Sequence, residues 1–285
     1  MRLSLALLPV IPAALGCAGT VSASAEAADA EASAKTSALV SIERTTDAIQ
    51  GSRAEASARF LRVTAPASSD DAMRAIGAAL DLPAVGACAA LSTRAAPSSG
   101  GPGGLAPVVE LVDVGSVTLQ AAGVETRLSP RQLPDVTDVV TGVVYARATD
   151  PLLLPPGARY VVHVAGAPGF EPIEVSALAP ADPVDVRVSG EAEGGPLTAS
   201  GSSVDFSWAA TAIARADEVV YVDVRPSEVR CMLGDAGTGS VSTLLLDDEG
   251  TLIIHRLHRE ALRARGIDSG EVRFDFARTV GYVRR

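Results

Sequence analysis

Basic charge is scarce in this chain: 24 Lys and Arg residues stand against 34 Asp and Glu, leaving a net charge of −10 over 285 residues. A nucleic-acid partner is excluded on that balance, since phosphates demand a basic footprint. Lysine is nearly missing, with Lys35 the single example, an arginine bias typical of GC-rich genomes that says nothing of function. Histidine is rarer than chance would give, at three residues, and none has a second histidine or a cysteine at zinc-ligand spacing. His255 and His258 lie three apart on a strand pattern, so they point to opposite faces and cannot hold one metal together. Both are expected at the surface, whereas His163, alternating with valines, fits either core or solvent. No Gly-x-Ser-x-Gly elbow, His-Glu-x-x-His or phosphate loop occurs, and no motif asks for a cofactor. Long apolar runs are absent beyond residue 16, which leaves no spanning segment there.

What is present begins with Met1–Gly16, MRLSLALLPVIPAALG, one positive charge followed by an apolar run too short to cross a bilayer comfortably. It reads as a signal peptide. The run stops at Ala14-Leu15-Gly16-Cys17, which resembles the lipobox of bacterial lipoprotein precursors, with Ala14 where leucine is commonest. That resemblance implies lipid attachment at Cys17 and a bilayer partner through the anchor. Ala18 in place of an aspartate fits outer-membrane sorting in a Gram-negative cell. The same Ala-Leu-Gly, or Val21-Ser22-Ala23, also serves ordinary signal peptidase, and then the protein is secreted with Cys17 discarded or left as a stray thiol. Residues 17–57 are rich in Ala, Ser and Glu with little to bury, so they are expected as a disordered tether.

The body predicts a mainly all-β fold of two antiparallel β-sandwich domains, residues 58–190 and 197–285, joined by a linker at 191–196. Ser68 with Asp71 forms a capping box, and Met73, Ile76 and Leu80 recur at helical spacing, predicting a short helix near 69–82. Ala95–Pro107 is a Gly/Pro-rich exposed loop. From Val108 onward, runs of alternating apolar residues are cut by Pro151, Pro155-Pro156-Gly157, Pro168-Gly169 and Pro180, the turn spacing of a sandwich or barrel. In the second domain Val204, Phe206 and Trp208 share one strand face, as do Val220, Val222 and Val224. Asp235–Gly239 is expected to close a hairpin, and Arg259–Arg265 to form a short helix between the last two strands, Leu252–His258 and Glu271–Ala277. Trp208 is expected in the core, with a ligand platform as the other reading.

Cys88 and Cys231 are the thiols left if Cys17 is lipidated, and export would let them pair. Against pairing, they fall in separate expected domains and Cys231 sits where a small buried hydrophobe would. Asp247-Asp248-Glu249, with Asp235, is the one dense carboxylate cluster; it suits either a calcium ion or a plain acidic turn, and it lacks EF-hand spacing. Residues 251–285 hold eight arginines against four carboxylates, a stretch that either faces solvent or touches an acidic partner.

Val204-Asp-Phe-Ser-Trp208 followed by Tyr221-Val-Asp-Val resembles the early strands of fibronectin type III and related Ig-like modules, over about ninety residues. The whole chain resembles exported lipoproteins of GC-rich soil bacteria that carry C-terminal β-domains on a tether. These resemblances imply location rather than chemistry. The expected function is a cell-envelope lipoprotein acting as a non-catalytic binding or scaffolding module, with an envelope protein or glycan as partner. The alternative is a secreted enzyme or enzyme accessory module, as scattered Ser, His and Asp still permit a catalytic triad.

Overall fold

The computed structural model describes residues 34–47, 50–63, 73–74, 76–91, 109–133, 140–183, 185–188, 191–192, 196–210 and 217–285. Met1–Gly16, residues 17–33 and 48–49 of the expected tether with Cys17 among them, Ser68 and Asp71 of the capping box, the Ala95–Pro107 loop and residues 193–195 of the expected linker lie outside them.

The described chain is nearly all β, in one large and one small sheet. In chain order the strands are β1 (Lys35–Asp47), β2 (Gly51–Val63), β3 (Cys88–Ala90), β4 (Val109–Leu111), β5 (Val117–Ala121) and β6 (Val124–Leu133). Next come β7 (Val140–Thr149), β8 (Arg159–Val164), β9 (Ile173–Leu178), β10 (Arg187–Val188), β11 (Glu191–Ala192) and β12 (Leu197–Ala199). The last six are β13 (Ser203–Ser207), β14 (Glu218–Arg225), β15 (Val229–Met232), β16 (Thr238–Ser242), β17 (Glu249–Ala261) and β18 (Ser269–Arg284). The large sheet runs β3-β15-β14-β17-β18-β1-β2-β4-β7-β6-β5-β8-β9, with β12 also on β18; the small one runs β11-β10-β13-β16.

Two long strands organise this arrangement. β17 and β18 pair antiparallel from Glu249↔Val283 to Ala261↔Glu271, and β1 joins the other side of β18 in parallel register, Ser37↔Ser269 to Asp47↔Thr279. The large sheet then folds over on itself at β6. Its first half, Val124–Leu128, pairs with β5, and its second half, Ser129–Leu133, pairs with β7. Pro130 sits at that hand-over, where a residue without an N–H is tolerated. Close backbone approach selects glycine at Gly142, whose φ is +123° and whose Cβ would lie 1.8 Å from the Leu111 carbonyl oxygen.

Two large apolar clusters result. In one, Val40, Ile42, Ala56, Ala58 and Phe60 of β1 and β2 meet Leu119, Tyr160 and Val162 of the folded-over layer, with Phe274 and Phe276 of β18. In the other, Val204, Phe206 and Trp208 meet Val220, Val222, Cys231 and Ile254 across the gap between the small and large sheets. The expected boundary at Glu191–Pro196 does not separate these clusters, since Val186 and Val188, which precede it, belong to the second. β18 also serves both, giving Val272, Phe274 and Phe276 to the first and Val280 and Tyr282 to the second, and residues 32–285 form one unit.

Four expectations need correction. Residues 35–47 and 51–57 of the expected tether are the strand β1 and the start of β2, ordered because β1 has hydrogen-bonded neighbours on both sides and is buried from Ala38 to Ile42. The helix near 69–82 does not continue to Leu80: Gly77, at φ +65°, stops it, and the Ala78 and Ala79 N–H groups both donate to the Met73 carbonyl. Asp235–Gly239 closes no hairpin, since β15 pairs with β14 and β3 while β16 pairs with β13, so the turn carries the chain from one sheet to the other. Arg259–Ala261 extend β17 rather than opening a helix, held by thirteen register pairs with β18. Among the described residues no helix is long and apolar enough to cross a membrane.

Candidate functional site

The face of β15-β14-β17-β18 turned away from Trp208 carries Arg230, Tyr221, Asp223, His255 and Asp275. A strap, residues 78–91, crosses it. Leu80 and Leu82 of the strap pack against Tyr221, Met232 and Leu257. Beyond them the Gly86 N–H donates to the Met232 carbonyl, the Met232 N–H to the Ala87 carbonyl, and β3 adds to the edge of β15. Cys88 and Cys231 stand directly opposite in that register, Cα atoms 4.0 Å apart, and their sulfurs are bonded. Closing 143 residues of chain stabilises the folded state by about 5 kcal/mol in the loop-entropy account. Of the two arguments against this pair, the strap removes the separation into domains by laying Cys88 on the sheet that holds Cys231, and Cys231 is buried as the other had it but is bonded there all the same.

Beneath the strap lies a chain of charges. Arg230 donates from Nε and Nη2 to both oxygens of Asp223, at 2.7 and 2.8 Å, and its guanidinium covers the Tyr221 ring at 4.6 Å. His255 stacks on the other face of that environment, 4.3 Å from the Tyr221 ring and nearly parallel to it. Asp275 accepts from Tyr221 Oη at 2.7 Å and from His255 Nδ1 at 2.7 Å. Burial alone would raise the Asp275 carboxyl, but His255, Tyr221 and Arg230 outweigh it and hold it below the usual carboxylate range. Burial and the facing carboxylate push the Tyr221 hydroxyl well above its ordinary value. The ionised carboxylate accepts only, so Nδ1 carries the proton and Nε2 is turned toward Asp223, 3.9 Å away. That Nε2 is sealed from solvent with no hydrogen-bond partner among the described residues.

Both β17 histidines therefore differ from the surface positions expected. His255 is largely covered, and His258 is 3% exposed, on the inner face with Leu252, Ile254 and Arg256. His163 is partly exposed beside Glu174. Arg256 is buried too, between Glu218 at 3.5 Å and Asp235 at 3.3 Å, and Asp235 also accepts from Trp208 Nε1 at 2.6 Å. Trp208 is thus a core residue with its one polar atom satisfied. Of the acidic cluster, Asp247 accepts from Ser227 and Asp248 pairs with Arg284, while Asp235 serves Trp208 and Arg256 elsewhere. Among the described residues no group of three or more His, Cys, Asp or Glu side chains is poised to hold a metal.

Where the strap leaves the sheet it opens a groove of about 380 Å³, walled by Leu39, Met73 and Leu80 and lined by Arg74, Asp81, Arg259, Glu271 and Arg273. A second hollow, about 390 Å³, shares Arg259, Gly270 and Glu271 with it. Arg259 and Arg273 are directly opposite across β17 and β18, a like-charge pair that costs stability unless an anion lies between them. Glu271 is that anion. Its Oε2 accepts from Arg259 Nε at 2.8 Å and its Oε1 from Arg273 Nε at 2.6 Å. Arg273 is further fixed by donating to the Ala78 carbonyl at 2.8 Å, and Arg74 grips Asp81 with both terminal nitrogens at 2.6 and 2.7 Å.

Neither family models nor curated proteins match the chain. Among solved structures it is similar to the Fcho1 Mu homology domain of Danio rerio with bound Eps15 peptide, at 12% identity and a TM-score of 0.26, covering 87% of this chain and 97% of that one. It is also similar to a bacterial ice-binding adhesin, at 11% identity and a TM-score of 0.19, covering 62% of this chain and 56% of that one.

Proposed function

We propose that the protein is an exported, non-catalytic binding module of the cell envelope, tethered through lipid on Cys17, whose working surface is the groove beside the strap. The observation that carries this reading is the Cys88–Cys231 bond. A disulfide in a mesophilic protein belongs to an oxidising compartment, and this one fixes the strap that forms one wall of the groove. The leader and the cysteine after it agree with that compartment. The layer pair closed by Trp208 we read as Ig- or fibronectin type III-like, supported by a strand tryptophan filling the space between a four-stranded sheet and the β15-β14-β17 face. We assign His255 and Asp275 to stabilising the sheet, because a general base needs an open Nε2 and this one is sealed.

The test combines fractionation and thiol chemistry in cells. The wild type is expected in the membrane fraction with acyl mass on Cys17, Cys17→Ser in the soluble exported fraction, and Cys88 and Cys231 blocked to alkylation until reduced. A wild type that fractionates as soluble without acyl groups removes the anchor. Free Cys88 and Cys231 thiols in vivo remove export as well.

A further inference from the structure

We infer that the Cys88–Cys231 disulfide is a latch open to thiol–disulfide exchange, and that a dithiol which reduces it frees the strap and takes down one wall of the groove. The inference deepens the binding-module reading, resting on it for the groove alone.

The strap has little besides this bond to hold it. Of residues 78–91 only Ala78 is buried, while Leu80, Leu82, Pro83 and Leu91 are half-buried and the rest are exposed. Leu80 and Leu82 rest on Tyr221, Met232 and Leu257. Its strand, β3, is three exposed residues, two of them alanines, which offer β15 little apolar contact. The hydrogen bonds at Gly86, Ala87 and Leu91 lie at a sheet edge among exposed residues, where water replaces them at small net cost. The two ends are fastened unequally. At one, Ala78 is packed and Arg273 holds its carbonyl, beside Gly77 at φ +65°, a conformation glycine adopts freely. At the other, three register pairs and the disulfide keep β3 on β15, so loss of the bond lets the strap open about Gly77 and Ala78.

The two cysteines differ in access. Cys88 is exposed, whereas Cys231 is 1% exposed in the cluster with Val222 and Trp208, so a thiolate reaches the bond from the Cys88 side. The first thiolate of the dithiol bonds to the Cys88 sulfur, the bond between the cysteines breaks, and Cys231 leaves as a thiolate that takes up a proton. The second thiol then attacks the reductant's own sulfur in the mixed disulfide, closing a disulfide there, and Cys88 leaves and is protonated. Two electrons and two protons pass from the dithiol to the protein. Ala79, Leu80 and Asp81 line the first hollow and Leu82 the second, so departure of the strap opens both. It also bares Tyr221, Met232 and Leu257 and leaves the Met232 N–H and the Glu228 and Met232 carbonyls without the partners the strap gave them.

The experiment follows amide hydrogen exchange of the purified, oxidised full chain with and without dithiothreitol in native buffer. On reduction, exchange across residues 79–91 and at the Met232 amide should accelerate at least tenfold, while β17 and β18 stay protected over the same time course. Cys88→Ala should show the fast strap exchange without reductant and no response to it. Glutathione, which lacks a second thiol, should be trapped on Cys88. A bond reduced only in denaturant overturns the latch, as does a strap equally protected after reduction. Exchange of β17 and β18 together with the strap overturns it too, making the bond a fastener of the whole sheet. A glutathione adduct on Cys231 overturns the direction of attack. None of these outcomes depends on Cys17 or on the compartment, so fractionation decides the binding-module reading separately.

Discussion

Replacing Arg256 with methionine should destabilise the protein by about 3–5 kcal/mol, the range observed when one partner of a buried ion pair is removed. The side chain is 1% exposed, so solvent screening does not discount its interactions. At 3.5 Å from Glu218, and with an effective dielectric near 20, the pair attraction is about 5 kcal/mol before the cost of dehydrating both ions. Methionine fills much of the volume but supplies no donor. Glu218 and Asp235 then lose the cation they share, and the carbonyls of Asp182 and Ala209 lose the guanidinium that ties them to β17. Urea unfolding followed by far-UV circular dichroism measures the loss. Trp208 emission is an independent probe, because its indole shares Asp235 with Arg256 and it is the only tryptophan. Adding Glu218→Gln to Arg256→Met should recover part of the stability by removing a buried charge that has lost its arginine. A loss below about 1 kcal/mol for Arg256→Met, or a double variant less stable than the single one, would show that the network is not what holds this corner.

The depressed Asp275 carboxyl contributes stability above its unfolded value, near 3.9, that disappears as pH falls through the lower folded value; Asp275→Asn should therefore flatten the acid limb of an unfolding-against-pH curve, and an unchanged limb refutes the assignment. All four tyrosines are raised, Tyr145 to about 12 by burial and the Asp113 carboxylate, so their stabilising contribution is intact up to pH 10 and is lost above it. Spectrophotometric titration should show tyrosinate only as the chain unfolds in alkali, and a normal tyrosine titrating near pH 10 in the folded protein contradicts that. A fragment of residues 197–285 loses β1 from the edge of β18 and exposes Val272, Phe274 and Phe276, so it should be molten or insoluble, and a cooperative two-state melt for that fragment would mean the C-terminal half needs no help.

Period-two alternation identified strands by their apolar face, and in β14 the expected row of Val220, Val222 and Val224 is buried. It failed at β1 and the first half of β2, where Ala38, Ala54, Ala56 and Ala58 fill the core. Alanine has weak β-propensity and its runs look like a tether; what orders them is a central place between β18 and the folded-over layer, which is long-range information. Turn chemistry behaved similarly. Asp235–Gly237 does bend the chain, but a turn sequence specifies a bend and not the strand on the far side of it, so a crossover between sheets reads as a hairpin.

The candidate site was the least visible part, for a reason that its own residues make plain. Leu252, Ile254, Arg256 and His258 form one period-two row, and carrying the apolar alternation two steps further would have put Arg256 and His258 inside. Their polarity argued for the surface only as long as their partners were unknown, since charges are buried where counter-charges meet them. Those partners come from the start of β14 and the turn before it, Glu218 and Asp217, from the β15–β16 connection, Asp235, and from β17 itself, Glu260. The groove repeats the lesson. Eight arginines after residue 250 suited either a solvent-facing stretch or an acidic partner, yet five of them, Arg256, Arg259, Arg265, Arg273 and Arg284, stand in ion pairs within the chain. What remains is set by geometry: a register that places Arg259 opposite Arg273, one carboxylate between them, and a disulfide-held strap beside them.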